Sequence, residues 1–152
     1  HSDELTRLAH YDALTGIGNR ALFQLRLEVA FQQSRRDNKA VGLILMDIDH
    51  FKDINDSLGH DIGDHLLIKV AEELQKACRE SDTVVRLGGD EFIVLIDNIS
   101  DHKTILQFAQ LILKGLRRPF EVDINDVRDR RQSWYRKISR RWERQSCIIA
   151  FR

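Results

Sequence analysis

The run Ala40–Met46 constrains this chain more than any other feature. Its near-continuous apolar stretch, ending in Asp47, is far too short to span a bilayer and too unbroken for a half-solvated edge strand. It suits a central strand buried on both faces, which requires helices packed on a sheet. The flanking sequence agrees. Asn19 can cap a helix through Leu22, Phe23, Leu25, Leu27, Ala30 and Phe31 to the polar break at Arg35–Lys39. Residues 61–79 place Ile62, Leu66, Leu67, Val70, Leu74, Ala77 and Cys78 at helical spacing. Thr83–Leu87 and Phe92–Ile96 are β-rich and joined by Gly88-Gly89-Asp90-Glu91, a hairpin signal because both glycines accept positive φ. Ser100 or Asp101 can cap a further helix with Ile105, Phe108, Ala109, Ile112 and Leu116 inward, closed by Arg117, Arg118 and Pro119. A hairpin combined with a crossover helix predicts an α+β fold: a mixed, mainly antiparallel sheet flanked by helices, not a doubly wound sheet.

Composition narrows the class. The 152 residues suffice for one domain with a core, and 42% hydrophobic with 32% charged is ordinary for a globular chain. Cys78 and Cys147 are too few for a disulfide framework and lack metal-ligand spacing. No basic-then-apolar leader opens the sequence. The 24 basic and 24 acidic residues are unevenly spread: Arg128–Arg152 holds nine Lys/Arg against Asp129 and Glu143, a net of +7, leaving −7 on residues 1–127. Residues 1–11 therefore read as a lead-in helix or linker with Leu5 and Leu8 on one face, 12–127 as the domain, and 128–152 as a basic tail containing Trp134 and Trp142.

The chemistry lies in carboxylates. If the hairpin pairs beside the strand ending at Asp47, then Asp47, Asp90 and Glu91 meet at one end of the sheet. Like charges held so close raise one another's pKa, and a divalent cation with a taste for oxygen, magnesium or manganese, removes the penalty. Such metals complete their shells with nucleotide phosphates; two of them can activate a hydroxyl and stabilise a departing phosphate oxygen. Taken singly, each carboxylate reads as a turn cap or solvated group, and the glycine pair as a turn. The balance shifts because Lys52 can face phosphates, Asn55 and Asp64 can meet a base edge, and the N–H groups after Asp49 open a short helix suited to anions. His60 and His65 lack a third ligand and read as surface or helix-start groups; Cys78 reads as core.

With these residues in view, the chain resembles a GGDEF domain of the diguanylate cyclase family. The naming pentapeptide is Gly88-Gly89-Asp90-Glu91-Phe92, with Arg86-Leu87 before it. Asp12–Arg20 resembles the family's opening motif, Asp47–Asp56 its metal and phosphate segment, and Gly59–Asp64 the segment that helps read guanine. Four motifs in order cover about residues 5–127. The resemblance implies a nucleotidyl-cyclase, palm-like fold in which two GTP molecules condense to cyclic di-GMP and two pyrophosphates. In an antiparallel homodimer, each 3′-hydroxyl attacks the other GTP's α-phosphate. By motif position, Asp47, the Ile48 carbonyl and Asp90 would bind Mg2+ or Mn2+, assisted by Glu91. Asp90 would be the base or hydroxyl-orienting carboxylate, and Lys52 would stabilise phosphate charge. His50 and Phe51 would offer backbone N–H groups, Gly88 and Gly89 would contact the substrate, and Asn55 and Asp64 would recognise guanine. Arg79-Glu-Ser-Asp82 has the RxxD form of the family's product-inhibition site, with Arg79 forking to phosphate or guanine and Asp82 accepting from guanine. As an isolated pattern it is a helix-ending Arg with an Asp in the next turn.

Beyond about Val127 the resemblance stops. The family's further apolar strand and final basic helix are expected there; the chain instead reads Arg128–Arg152, in which Ser146–Ala150 faintly echoes the missing strand. Basic residues interleaved with Trp134, Tyr135 and Trp142 suit a nucleic-acid arm, a segment on an acidic membrane surface, or non-native coding from a frame change or junction. The last is favoured, with nucleic acid disfavoured as a partner. A lost strand and lost basic groups imply low activity and stability, and Ser146–Phe151 pairing as a substitute strand is expected. Two functions from different classes stand: a diguanylate cyclase, and a catalytically silent module that binds cyclic di-GMP through Arg79 and Asp82. The family setting implies a sensory or phosphodiesterase neighbour in a longer parent and a cytoplasmic location, including the cytoplasmic part of a membrane-anchored protein.

Overall fold

The computed structural model describes residues 2–48, 51–117 and 148–151. In chain order these form α1 (Ser2–His10), α2 (Arg20–Asp37), β1 (Ala40–Asp47), α3 (Phe51–Leu58), α4 (His60–Ala77), β2 (Thr83–Gly88), β3 (Glu91–Ile99), α5 (His102–Arg117) and β4 (Ile148–Phe151). The strands lie in the order β2-β3-β1-β4. Every strand pair in that order is antiparallel. Among the described residues a parallel contact occurs as an isolated bridge between Gly18 and Val85. The α+β fold is thus the observed one, and its sheet is antiparallel at every described strand pair rather than mixed.

β1 is buried on both faces, as its unbroken apolar run requires. Its even positions Ile44 and Met46 join Phe92, Val94 and Ile96 of β3 under α4 and α5, through Leu66, Leu67, Val70, Leu74, Ile105, Ala109 and Ile112. Its odd positions Val41 and Leu43 join Leu95 beneath Ala30, Leu27 and Phe31 of α2. Register explains the sorting: Ile44 pairs with Val94 and Met46 with Phe92, so cross-strand partners share a face. Gly42 interrupts the apolar run because α5 crosses there; a Cβ at Gly42 would stand 2.6 Å from Ile105 Cδ1.

The local signals resolve into specific caps. Asn19 Oδ1 accepts from the Leu22 N–H at 3.0 Å, and α2 ends on Asn38 in the left-handed region. Asp101, not Ser100, caps α5, accepting from the Thr104 N–H and hydroxyl, both at 2.9 Å. Ile105, Ala109 and Ile112 are buried as expected, whereas Arg118 and Pro119 lie outside the described residues. Two boundaries differ from expectation. α4 stops at Ala77 rather than running to residue 79, because Cys78 is extended and its N–H closes back on the Leu74 and Gln75 carbonyls. In the hairpin, Gly88 pairs with Glu91, so the turn residues are Gly89-Asp90 rather than the two glycines. Gly89 alone of that turn pair has positive φ, +51°, the requirement at the first central position of a type II′ turn.

α1 leaves Leu5 and Leu8 exposed at 68% and 64%, so the face they share is not part of the core. On the far edge of β2, the loop 11–18 lies alongside: the Arg86 N–H donates to the Gly18 carbonyl at 2.9 Å, and the Gly18 N–H donates to the Val84 carbonyl at 3.1 Å. On the other side of the sheet, Ile148–Phe151 pairs with Leu45–Gly42 of β1. That is the strand pairing expected within Ser146–Phe151. The rest of the basic tail, with Trp134, Tyr135, Trp142 and Cys147, lies outside the described residues. No helix among the described residues is long and apolar enough to cross a membrane.

Candidate functional site

Three acidic side chains gather where β1 and the hairpin end together. Asp47 is the last residue of β1 and pairs with Glu91, the first of β3; Asp90 occupies the turn between. The Ile48 N–H donates to the Asp90 carbonyl at 3.3 Å, which ties the strand's exit to the turn. Asp47 and Glu91 are exposed and Asp90 is half-buried. Burial, together with repulsion from Asp47 and Glu91, pushes the Asp90 carboxyl above its ordinary range, against backbone N–H groups that pull it down. A half-buried carboxylate between two like charges is the electrostatic condition that a cation relieves.

The donor set fits a hard divalent ion only in part. Among the described residues, no three His, Cys, Asp or Glu side chains come close enough together to hold a metal by themselves. Magnesium does not demand such a cage: one or two carboxylates suffice when phosphate oxygens and water complete the octahedron. The Ile48 carbonyl, a further oxygen here, accepts from the Phe51 N–H at 3.3 Å at the start of α3 and keeps a second lone pair.

Beside this end stand α3 and α4. Lys52 is exposed in the first turn of α3, and Phe51 is half-buried there. Asp49 and His50 lie outside the described residues. Asp64 is exposed near the start of α4. Asn55 faces the α3–α4 junction, and its Oδ1 is buried without a hydrogen-bond partner. An unpaired buried amide oxygen is costly, about 1–3 kcal/mol, and marks a group with a vacant bond to make. Gly88 and Gly89 are exposed at the hairpin end.

Arg79 and Asp82 sit at the opposite end of β2, and they meet each other. The Arg79 backbone N–H donates to Asp82 Oδ2 at 2.8 Å, and Arg79 Nη2 donates to Oδ1 at 2.9 Å. The Asp82 side chain is fully buried in that grip, while the Arg79 side chain is 51% exposed. Arg79 and Asp82 thus pair with each other, and Arg79 also lines a groove of about 460 Å³ with Lys39, Ser81 and Asp97. His60 and His65 are exposed, as anticipated. Cys78 is half-buried, and burial followed by the nearby Asp82 charge pushes its thiol up to about 12, so it stays protonated.

Sequence reasoning missed the residue that braces the turn. Arg86 Nε donates to the Gly89 carbonyl at 2.8 Å, and its Nη1 donates to both oxygens of Asp12, at 3.1 and 3.2 Å. Asp12 also accepts from the Thr15 N–H and hydroxyl. Burial opposes the Asp12 charge, but the Thr15 bonds and the Arg86 guanidinium prevail and hold its carboxyl below the usual range. One guanidinium thus joins the loop after α1 to the turn carrying Asp90. Asp12 and Arg86 were each visible in their motifs, but nothing in the sequence links two residues 74 apart.

The chain is similar to known proteins along most of its length. It matches the model of the diguanylate cyclase GGDEF domain over residues 9–130. The chain belongs to the GGDEF family. It is 42% identical over 127 residues to the bifunctional diguanylate cyclase/cyclic di-GMP phosphodiesterase MucR of Pseudomonas aeruginosa, covering 82% of this chain and 18% of MucR. The diguanylate cyclase TpbB of the same species is 38% identical over 118 residues, covering 78% of this chain and 27% of TpbB. The solved GGDEF domain of TpbB superposes with a TM-score of 0.75 at 32% identity, covering 93% of this chain and 74% of that one. The chain therefore spans less than a third of the length of these curated relatives, in which the GGDEF domain is one part.

Proposed function

We propose that this GGDEF domain is a diguanylate cyclase, condensing two GTP into cyclic di-GMP with release of two pyrophosphates. The observation that carries the reading is Asp90: a half-buried carboxylate on a tight turn, raised in pKa and flanked by Asp47 and Glu91 at the mouth of α3. The relatives named diguanylate cyclases support the class of reaction.

In this reading, Asp47, Asp90, Glu91 and the Ile48 carbonyl hold Mg2+, or Mn2+, which when bound neutralises developing phosphate charge. Asp90 accepts or orients the proton of the incoming 3′-hydroxyl, a role supported by its place on the turn between Asp47 and Glu91. The O3′–Pα bond forms as the Pα–O bond to pyrophosphate breaks, and Lys52 balances charge on the phosphates. His50 and Phe51 contribute backbone N–H groups to the same phosphates, the Phe51 N–H giving up its 3.3 Å bond to the Ile48 carbonyl, and Gly88 and Gly89 contact the substrate from the hairpin. Asn55 and Asp64 read guanine, whose N1–H and N2 amino donors adenine lacks. One chain holds one GTP, so the reaction needs a homodimer.

Arg79 serves as a product-inhibition site through the exposed half of its guanidinium, cyclic di-GMP competing with the internal bond to Asp82. The parent protein carries a sensory or phosphodiesterase module beside this domain, as the length and bifunctional name of the MucR relative favour, and works in the cytoplasm. The reading is tested by incubating the protein with GTP and Mg2+ and identifying products by chromatography with mass detection. Cyclic di-GMP from the wild type and none from Asp90→Ala is the expected outcome. If wild type gives no product yet binds cyclic di-GMP through Arg79, the protein is a sensor instead.

A further inference from the structure

Gly63 lies in the second turn of α4, buried, in a helical backbone that any residue adopts. Glycine is the least favourable ordinary residue at such a place, so something other than conformation explains it. A Cβ at Gly63 would fall within the van der Waals envelope of Asn55 Oδ1, with Asn55 Cγ at 3.0 Å and Phe51 Cζ at 3.2 Å. The volume that a side chain at 63 would fill is filled by the carboxamide of Asn55.

The backbone cannot open to make room cheaply. The Gly59 N–H donates to the Asn55 carbonyl at 2.8 Å, and the Gly63 N–H donates to the Gly59 carbonyl at 3.3 Å. These two bonds tie α3 to α4 through the positive-φ residue Gly59. A methyl at 63 must therefore displace the side chain of Asn55 or Phe51. We infer that Gly63 is a specificity-determining positioning residue: by having no side chain, it sets where the Asn55 carboxamide rests and so sets discrimination for guanine. This deepens the function proposed above and rests on the guanine-reading role given there to Asn55.

The test uses the full chain with MgGDP, MgIDP and MgADP as probes, which carry the base but no pyrophosphate leaving group and so are not consumed. Wild type, Gly63→Ala, Asn55→Ala and the double variant are compared by calorimetric titration and by ligand-free thermal midpoint. Gly63→Ala is expected to weaken MgGDP about tenfold while leaving MgADP unchanged, and to shrink the preference for GDP over IDP, which lacks the N2 amino group. The double variant should bind no more weakly than Asn55→Ala alone, because once the amide is gone the methyl can take its space and meets only the edge of the Phe51 ring, 3.2 Å away. For the same reason Gly63→Ala should lower the ligand-free midpoint and the double variant should recover it. Unchanged GDP selectivity in Gly63→Ala, or losses that multiply in the double variant, would overturn the inference. A Gly63→Ala protein that does not fold leaves the double variant to decide: recovery of folding supports the contact, and failure to recover refutes it. A wild type with no guanine preference would instead overturn the role of Asn55 itself.

Discussion

β2 has a charged cluster at each end, and the two are built on opposite principles. At its start, Arg79 and Asp82 close a turn in which opposite charges satisfy one another and the carboxylate is fully buried. At its finish, Asp90 stands between Asp47 and Glu91, like charges held together by strand register, and its pKa is raised. A folded chain minimises such repulsion unless something outside it is meant to supply the opposite charge. The pair carries its own counter-charge; the trio does not. Charge count alone does not separate the two, whereas the presence of an internal partner does.

The sharpest way to break this contrast is at the turn. Asp90→Ala should cut cyclic di-GMP formation by about 10²–10⁴-fold, measured with saturating GTP and Mg2+, while the protein remains folded. Arg79→Ala should leave turnover intact and relieve inhibition by added product. A moderate effect is expected from Arg86→Lys, which keeps a positive charge near Asp12 but cannot fork to the Gly89 carbonyl. Misplacement of Asp90 should lower kcat by up to about 10²-fold with little change in KM. A KM change alone would show that the brace does not act through Asp90.

Stability sharpens the comparison with opposite signs. Removing Arg79 strands the buried Asp82 carboxylate, which costs about 1–3 kcal/mol, toward the low end because the guanidinium is half-solvated. Chemical denaturation of Arg79→Ala against wild type measures it. Asp90→Asn should do the reverse and stabilise the metal-free protein near neutral pH. The folded pKa of Asp90 lies above its reference of 3.8, so the stability it contributes is present below that reference and lost as pH rises through the folded value. The gap between Asp90→Asn and wild type should therefore widen from pH 4 to neutrality and shrink when Mg2+ is added. Smallest of all, Asp12 has the opposite sign: its lowered pKa makes its contribution present above 3.8 and lost as pH falls through the folded value. Asp12→Asn should erase that acid-side loss.

What could be read beforehand divides along the same line. Residues whose role is local were legible: Asn19 as a cap, the two-sided burial of β1, the apolar faces of α4 and α5, and the meeting of Asp47, Asp90 and Glu91 once the hairpin was placed beside β1. Roles that depend on one side chain's exact partner were not. The RxxD pattern gives both residues but not the bond between them: proximity in the chain lets Arg79 and Asp82 hold each other. The turn slipped by one residue because two adjacent glycines offer two equivalent registers, and pairing of Gly88 with Glu91 chose between them. Arg86 and Asp12 meet across the fold, and the Gly63–Asn55 contact is a matter of missing volume, which no periodicity encodes.

The loop 11–18 has one more consequence. Among the described residues β2 is the outermost strand on its side of the sheet, and an open outer edge invites pairing with another molecule. Hydrogen bonds between Gly18 and both Val84 and Arg86 occupy part of that edge. The loop therefore covers backbone groups that would otherwise be open to a further strand, and the Arg86–Asp12 pair pins it there. A variant that loosens the pin should aggregate at lower protein concentration, and should do so before its core unfolds.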